Sequence, residues 1–353
     1  MIPLKLVPVR GQVSDLSSRL NPLRTQNLSI CSLSCHCSSP DSSVVPSQPI
    51  TRGFSTGIKR AAPPVIFHSE IKHSARLADR TCLITGGTSG IGYAIAERFL
   101  QEGARNVVIT GRSKGRLQAA MEGLHESILD PNSPKTSDKG QDGSQDPCQR
   151  IEFSPRIAGL IGDVGLAQFW ASESCKTAMS GLDILVNCAG VSHASLLMRA
   201  EDDHIDSMLK TNLQGAIFAT REMARRVPRQ LNPSKYSKSI INISSLLAFK
   251  GAVGTATYAT TKAGLIALTR CMAVEGSKPV KGMRIRCNAI TPGYIETRIL
   301  KEIGEPARAN ALESIPLDRF GTPEEVADAA VFLATNEYAN NCILNIDGGL
   351  GAI

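Results

Sequence analysis

The sequence predicts an α/β protein in which helices cover both faces of a single parallel sheet. Short apolar runs typical of buried strands alternate with segments whose apolar residues recur at helical spacing. This alternation indicates parallel βαβ units wound into one sheet. The first unit shows it most clearly, because the strand run 81–85 is followed by a glycine-rich turn and then by the helical run 93–102.

Seven strands and their connecting helices are expected within one domain that spans residues 77–353. The polar stretch 126–150 is almost without apolar residues, so we interpret it as a disordered surface insertion. After the first strand, the others are predicted at 106–110, 157–161, 182–186, 239–243, 284–290 and 342–346. After the first helix, the others are predicted at 113–124, 205–226, 256–275 and 323–335.

Residues 1–76 precede this periodic order and differ from it in composition. Residues 1–60 contain seven Lys or Arg, two Asp or Glu and twelve Ser. A segment rich in arginine and serine and poor in acids is typical of an organelle transit peptide, which predicts a mitochondrial matrix protein. The alternative is a disordered tail that carries no targeting signal. No metal site is predicted here, because Cys31, Cys35, His36 and Cys37 have no second ligand pair at finger spacing.

Composition argues against two broad classes of partner. Residues 1–60 hold a charge of +5 of the total +7, which leaves only +2 for the remaining 293 residues. With only 4% aromatic residues, a base-stacking nucleic-acid module is not favoured. No run approaches the roughly 18 apolar residues of a membrane span. The ten cysteines form no spaced disulfide framework, which fits a reduced intracellular location.

Ser245, Tyr258 and Lys262 are the candidates for chemistry. Tyr258 and Lys262 are four residues apart, so on a helix they share one face, one turn apart. A lysine ammonium beside a phenol favours the ionised phenol. A serine hydroxyl can hydrogen-bond the oxygen of a carbonyl or alcohol. Together these groups predict a proton-transfer site for carbonyl chemistry, although the Tyr–Lys pair alone could equally be a solvated helix face.

A glycine-rich turn joins the first strand to the first helix and predicts a Rossmann-type dinucleotide site. Glycines at this position let the backbone approach a pyrophosphate, and the helix N-terminus attracts its charge. The alternative is an ordinary tight turn. The candidate contacts are Gly86, Thr88, Ser89, Gly90, Ile91 and Gly92.

Arg112 follows the second strand and bears on the choice of dinucleotide. Sites for NAD usually place an acid here to bind the ribose 2′-hydroxyl, and this sequence has none. An arginine can instead pair with a 2′-phosphate. The sequence therefore predicts NADPH over NADH, with a solvated loop cap as the alternative role of Arg112.

Several motifs occur in one order and resemble the short-chain dehydrogenase/reductase family over residues 77–353. They are the turn at 85–92, Asn187-Cys-Ala-Gly190, Asn212, Ser245, Tyr258-x-x-x-Lys262 and Pro292-Gly293. Within that family, the runs 240–245, 258–265, 286–293 and 346–349 resemble 3-oxoacyl-[acyl-carrier-protein] reductases. The segment 1–76 and the polar insertion 126–150 are similar to those of fungal mitochondrial reductases of fatty-acid synthesis.

The resemblance implies a role for each catalytic candidate. Tyr258 is the implied general acid, Lys262 activates it and binds the nicotinamide ribose, and Ser245 holds the carbonyl oxygen. Asn212 is the implied support of the lysine through a water relay, with a polar residue in a helix distortion as its alternative. The family usually has alanine at the position of Cys188, which is a departure in this chain.

The resemblance also implies further contacts with the cofactor. Asp163 and Val164 are expected at the adenine, although Asp163 could instead be a helix cap. Asn187 and Gly190 are expected along the adenosine. The expected nicotinamide contacts are Pro292, Gly293, Ile295 and Thr297.

The implied function is NADPH-dependent reduction of a 3-oxoacyl thioester on acyl carrier protein. A basic docking patch for that acidic partner is expected at Arg225, Arg226, Arg229, Lys235 and Lys238, unless these residues form a solvated helix end. A homo- or hetero-tetramer is expected, with helix 256–275 as the interface. The alternatives are a quinone, steroid or small-ketone reductase, with its substrate chosen by a lid at 295–318, and a non-catalytic nucleotide-binding subunit.

Overall fold

A computed structural model describes residues 75–128, 147–226, 236–278, 283–301 and 304–352. In this part of the chain eight strands form one sheet in the order β3-β4-β2-β1-β5-β6-β7-β8. The strands are β1 (Thr81–Thr85), β2 (Asn106–Gly111), β3 (Gln149–Ser154), β4 (Ile157–Ile161), β5 (Ile184–Asn187), β6 (Lys238–Ile243), β7 (Ile285–Pro292) and β8 (Ile343–Ile346).

The predicted count of seven strands, all parallel, is wrong by one strand at the edge of the sheet. β3 pairs antiparallel with β4, while the other pairings are parallel. Its first two residues fall within the stretch 126–150 that was expected to be disordered, and α2 continues to Ser127 at the other end. The strand is hard to recognise because only Ile151 and Ser154 are buried and its other residues are polar or half-exposed. Residues 129–146 of the predicted insertion lie outside the described ranges.

The helices cover both faces of the sheet, as a doubly wound fold requires. They are α1 (Gly90–Gln101), α2 (Lys114–Ser127), α3 (Ala167–Ala171), α4 (Glu173–Met179), α5 (Asp202–Met208), α6 (Gly215–Arg225), α7 (Ala256–Glu275), α8 (Arg298–Lys301), α9 (Glu305–Glu313) and α10 (Pro323–Thr335). One apolar core joins the sheet to α1, α2 and α10, and a second joins it to α3, α4, α6 and α7. No helix among the described residues is long and apolar enough to cross a membrane.

The order of the strands reverses at β1, and this reversal creates a crevice. β1 pairs in parallel with β2 on one side and with β5 on the other. Ligands of open α/β sheets bind at such a point, outside the carboxyl ends of the strands. Thr85 at the end of β1 and Asn187 at the end of β5 are paired here, so the crevice opens directly beyond them.

The predicted helix 205–226 is divided into three parts. α5 begins at Asp202, Leu209–Gln214 has π-helical hydrogen bonding, and α6 ends at Arg225. A π-helical turn inside an α-helix frequently lies at a functional site. Asn212 lies within this turn, so the distortion is found at the position that the sequence singled out.

Arg286 holds the end of α10 against the sheet although only 4% of it is exposed. Its guanidinium donates to the carbonyls of Leu333, Ala334 and Ala339 at 2.8–3.0 Å. Its Nε donates to Ser237 Oγ at 2.7 Å. The last carbonyls of a helix have no partner within the helix, and a cation is favoured beside them. Arg286 therefore supplies hydrogen-bond donors to carbonyl groups at the end of α10 that have no partner within the helix.

We expect Arg286→Met to lower the free energy of unfolding by roughly 3 kcal/mol or more, because it removes four hydrogen bonds of a buried charged group and takes from the Ala334 carbonyl its side-chain donor. Urea denaturation of the purified protein measures this. Arg284→Met is the matched control, since Arg284 is exposed two residues earlier and its loss should change the free energy by less than about 0.5 kcal/mol. Equal effects of the two substitutions would contradict the assigned role.

Candidate active site

The glycine-rich turn has a shape that side chains would prevent. Gly86 has φ 71° and Gly90 has φ 57°, values in the left-handed region that favours glycine. A Cβ on Gly86 would lie 2.7 Å from the Cα of Ala189, and one on Gly92 would lie 2.4 Å from the carbonyl oxygen of Gly86. The turn is therefore packed against the end of β5 and against itself, with room only for backbone.

The start of α1 offers free N–H groups to an anion. Ser89 precedes the helix and makes no side-chain hydrogen bond to it in the described structure, and the first turn contains no acidic residue. Unpaired N–H groups and the helix dipole attract a pyrophosphate at such a terminus. Thr88, Ser89 and Ile91 lie between the glycines, so all six residues predicted from this motif are found in one turn.

Arg112 lies just beyond β2, exposed at the same edge of the sheet. Among the described residues its guanidinium has no hydrogen bond or ion pair, so it is available to a ligand. The alternative role as a cap is not seen, because Ser113 accepts the N–H of Arg116 at the start of α2.

Tyr258 and Lys262 come together on the first turns of α7. The Lys262 Nζ lies 5.6 Å from the centre of the Tyr258 ring and donates to the carbonyl of Ile243 at 2.9 Å. Lys262 is only 4% exposed, whereas Tyr258 is half-buried. The lysine is thus fixed by the end of β6 and not extended into solvent, which excludes the interpretation as a solvated pair.

Ser245 lies just beyond β6, two residues after Ile243, whose carbonyl holds Lys262. Its Oγ accepts the N–H of Leu247 at 3.2 Å, which leaves its own proton free to be donated. The neighbouring Ser244 was not singled out from the sequence. Its buried hydroxyl donates to the carbonyl of Lys262 at 2.7 Å and so joins β6 to α7 a second time. The sequence alone does not show which of the two adjacent serines attaches β6 to α7 and which one keeps its hydroxyl proton free.

Asn212 connects the loop after β5 to α7. Its Oδ1 accepts the N–H of Val191 at 2.8 Å, and its Nδ2 donates to the carbonyl of the same residue at 2.9 Å. Nδ2 also lies 3.2 Å from Thr261 Oγ1. A Cβ on Gly190 would be 3.4 Å from Asn212 Oδ1 and 3.5 Å from Lys262 Nζ. The structure therefore places Asn212, Gly190 and Lys262 together at one point of the crevice.

Three of the residues predicted to contact the adenosine use their side chains elsewhere. Asn187 is buried and donates to Asn242 Oδ1 at 2.8 Å, so its side chain faces the core and only its backbone is left for the crevice. Val164 packs its side chain in the core beside α3 and accepts the Trp170 indole N–H with its carbonyl. Asp163 accepts the N–H of Gly165 at 2.8 Å, which is closer to the alternative role as a local cap.

The residues after β7 lie against the glycine-rich turn. Pro292 ends β7, and the Gly293 N–H donates to the carbonyl of Ile346 at 2.9 Å. A Cβ on Gly90 would be 3.3 Å from the Thr297 methyl carbon, so Thr297 reaches the start of α1.

The predicted lid, 295–318, contains the short helices α8 and α9. Ile295 is buried and forms a bridge with Gly321. Leu300, Ala311 and Ile315 share an apolar cluster with Leu246, the residue after Ser245. The described parts of the segment therefore pack against the residue that follows Ser245.

Thr85 is a further residue that sequence reasoning did not assign. Its Oγ1 accepts the N–H groups of Cys188 and Ala189 at 3.0 and 3.1 Å, so one hydroxyl ties the end of β1 to the end of β5. The sequence signal for this role is the position of the threonine at the start of the glycine-rich motif.

Burial raises the pKa of the Cys188 thiol to about 12, with Lys262 acting in the opposite direction. The thiol therefore stays neutral near pH 7 and takes no part as a nucleophile.

The predicted basic docking patch is wrong at Lys238. This lysine is 4% exposed, its Nζ donates to the carbonyl of Leu182, and burial lowers its pKa. The sequence places Lys238 near other basic residues but does not show that it is the first residue of a buried strand.

Arg225 and Arg226 lie at the end of α6, and both pair with Glu222, at 3.3 and 3.4 Å. Arg229 and Lys235 lie outside the described residues.

These observations show that the crevice fits a dinucleotide. The glycines keep the turn free of side chains, α1 presents free N–H groups, and Arg112 has no competing partner among the described residues. Lys262 uses one of its three N–H donors on Ile243, so others are available to hydroxyl groups of a bound ribose. Ser245 and Tyr258 border the same space and are the groups that could exchange a proton with a substrate oxygen.

Comparison with known proteins identifies the family of this chain. The family described as short chain dehydrogenase matches residues 80–133, and the one described as Enoyl-(Acyl carrier protein) reductase matches residues 167–351. The 3-oxoacyl-[acyl-carrier-protein] reductase FabG of Thermotoga maritima is 35% identical over 280 residues, which cover 78% of this chain and 99% of the relative. The 3-oxoacyl-[acyl-carrier-protein] reductase of Rattus norvegicus is 32% identical and covers 77% and 98%.

A solved structure has the same fold. A short chain dehydrogenase from Burkholderia cenocepacia in complex with NADP is 27% identical, with a TM-score of 0.62 over 78% of this chain and 99% of that one. The extent of these matches, together with the crevice and the serine, tyrosine and lysine beside it, establishes that the chain is an oxidoreductase that belongs to the short-chain dehydrogenase/reductase family.

Proposed function

We propose that this protein reduces a 3-oxoacyl thioester, carried on acyl carrier protein, to the 3-hydroxyacyl thioester with NADPH. The observation that carries the proposal is the joint position of Ser245, Tyr258 and Lys262 beside the glycine-rich crevice. The relatives named 3-oxoacyl-[acyl-carrier-protein] reductase match over almost their entire length, which supports this substrate class over other carbonyl compounds.

The geometry supports a separate role in the reduction for each of these three residues. When bound, the nicotinamide supplies the hydride for the β-carbonyl carbon. Ser245 donates a hydrogen bond to the carbonyl oxygen, keeps its proton, and so orients the carbonyl group. Tyr258 lies beside it on α7 and delivers the proton that completes the alcohol. Lys262, held by Ile243, places a positive charge next to the phenol and stabilises it after it has lost that proton.

Asn212 acts on this site through other residues. Its side chain is committed to Val191 and Thr261, so it holds the loop after β5 at the distance from α7 that the crevice needs. We propose that its backbone in the π-helical turn supports Lys262 through a water, because both side-chain N–H donors are used and Oδ1 already accepts one hydrogen bond. Asn212 is a positioning residue in this scheme.

Arg112 is the basis for preferring NADPH. A guanidinium forms charge-assisted bonds with a phosphate in a fixed fork geometry, and this one is exposed and unpartnered among the described residues. With no acid at the end of β2, nothing there favours the 2′-hydroxyl of NADH.

Location and assembly are also part of the proposal. The composition of residues 1–60 supports import into the mitochondrial matrix, and a tetramer through α7 fits the exposed apolar Val274 near its end. We expect a tagged full-length chain to enter mitochondria and a chain without residues 1–76 to stay outside them. Sedimentation equilibrium of the purified protein should give the mass of four subunits. A cytosolic full-length chain, or a monomer at micromolar concentration, would contradict these two points.

Tyr258→Phe should lower kcat/KM for acetoacetyl thioester reduction by about 10²–10⁴-fold, because it removes the proton donor and leaves the ring in place. Binding of NADPH, followed by fluorescence titration, should change little. Tyr338→Phe is the matched control, since Tyr338 is 99% exposed and should keep full activity. A wild-type protein that turns over no 3-oxoacyl thioester would refute the proposed reaction, and inactivity on every carbonyl would favour a nucleotide-binding subunit.

Arg112→Ala should raise KM for NADPH by roughly 10–100-fold and change KM for NADH less than threefold, since only the 2′-phosphate loses its charge-assisted bonds. Initial rates with both cofactors measure the ratio. Arg284→Ala, which removes an exposed arginine from the opposite, amino-terminal edge of the sheet, should leave both constants unchanged. A parallel loss with NADPH and NADH would assign Arg112 to the structure of its loop instead.

A further inference from the structure

A recess between α3, α4 and α6 gathers four cationic side chains. They are Lys176 from α4 and Arg221, Arg225 and Arg226 from the carboxyl-terminal end of α6. The recess has a volume of about 480 Å³, which is within the range of small-molecule sites. Among the described residues, Glu222 is the only acidic side chain that lines it. We call this recess the basic groove.

Glu222 cannot satisfy the three arginines that surround it. Its side chain is only 10% exposed, and Arg221, Arg225 and Arg226 approach its two oxygens at 3.3–3.4 Å. Each guanidinium has five N–H donors, so three of them offer far more donors than one carboxylate can accept. The Nε of Arg226 is buried and has no hydrogen-bond partner among the described residues. The basic groove therefore has an excess of both positive charge and hydrogen-bond donors.

Neighbouring side chains hold these cations in place. The guanidinium of Arg221 lies over the ring of Phe218, with 4.9 Å between its central carbon and the ring centre. Lys176 pairs with Glu173, whose side chain is 83% exposed and does not line the groove. Groups that are already in position lose less freedom when a ligand binds. The only aromatic residue in the described lining is Trp170, which is 1% exposed, so a ligand meets cations and no open ring face.

The basic groove lies away from the dinucleotide crevice. Because α6 joins the parallel strands β5 and β6, it runs back from the carboxyl edge of the sheet toward the amino edge. It begins at Gly215, which packs against the carbonyl of Val164 beyond β4. At a rise of about 1.5 Å per residue, Arg221 and Arg225 are about 9 and 15 Å farther along the helix. The groove is therefore a site separate from the crevice at the carboxyl edge.

We propose that the basic groove binds a small ligand that carries a chain of two or more phosphate groups. Arginine forms charge-assisted bonds with phosphate oxygens, and a chain of phosphates can meet cations from α4 and α6 at the same time. A flat acidic protein surface fits less well, because Glu222 and the Arg226 Nε lie below the surface. The inference does not depend on which carbonyl compound the enzyme reduces.

Isothermal titration calorimetry with inorganic tripolyphosphate tests the groove, on protein saturated with NADPH so that the cofactor crevice is filled. One tripolyphosphate should bind per subunit, and Arg221→Gln with Arg225→Gln should raise its Kd roughly tenfold or more. The matched control is Arg105→Gln with Arg284→Gln, which removes the same charge from exposed residues at the amino edge of the sheet and should change Kd less than about twofold. Arg112→Ala should also leave this Kd unchanged, and a Kd that depends on Arg112 would overturn the proposal by placing the ligand in the cofactor crevice.

A second titration with ATP distinguishes a free polyphosphate from a nucleotide as the source of the phosphate chain. Because no ring face is open to a base, ATP and tripolyphosphate should bind with Kd values within about threefold of each other. That result would assign recognition to the phosphate chain alone. ATP that binds more than about tenfold tighter would support the groove and identify its ligand as a nucleotide.

Three results would overturn the proposal. The first is a wild-type protein that binds no tripolyphosphate when saturated with NADPH. The second is an equal loss of binding in the two double variants, which would show general attraction to a basic surface. The third is a groove variant that keeps tripolyphosphate binding but raises KM for an acyl-carrier-protein thioester and not for the matching N-acetylcysteamine thioester. That result would assign the groove to docking of the carrier protein.

Discussion

The attachment of α7 to the end of β6 is the constraint on which the rest of the site depends. Two hydrogen bonds cross between consecutive residues of the strand end and a single residue of the helix. Lys262 donates from its side chain to the carbonyl of Ile243, and Ser244 donates to the carbonyl of Lys262. Together they fix the height and rotation of α7, because one bond reaches the side chain and the other the backbone. Tyr258 and Ser245 are thereby held on neighbouring elements, the helix and the strand end that these two bonds join.

A second attachment fixes the other wall of the crevice. Thr85 binds two successive N–H groups after β5, and Asn212 holds Val191 by both its N–H and its carbonyl. The loop between them is thus held at both ends by side chains that come from distant parts of the sequence. Buried polar groups of this kind are satisfied in pairs, and removing one partner leaves the other without a hydrogen bond. The shape of the crevice is therefore a cooperative property of the two attachments.

The features that the sequence could predict are those encoded locally. The spacing of Tyr258 and Lys262 and the turn at 85–92 are visible within a few residues, and alternation of strands and helices predicted the doubly wound sheet. Features that depend on distant partners were not visible. Lys238 was predicted as a surface charge, although its strand lies beside the buried carbonyl of Leu182, and the partners of Arg286 are 47–53 residues away in sequence. The edge strand β3 buries too little apolar surface to stand out, and the direction of the Asn187 side chain follows from Asn242, 55 residues later.

The pairing of β1 with β5 has a consequence for the way the molecule folds. These neighbouring strands are about 100 residues apart in sequence, so the crevice cannot exist in a growing chain until β5 has been synthesised. Contacts of such separation are formed late and slowly, because a long loop must close first. An incomplete chain exposes the edge of β1 and has no nucleotide site. Tight binding of the dinucleotide is therefore a property of the completed fold, and the cofactor stabilises the native state without assisting the early steps that lead to it.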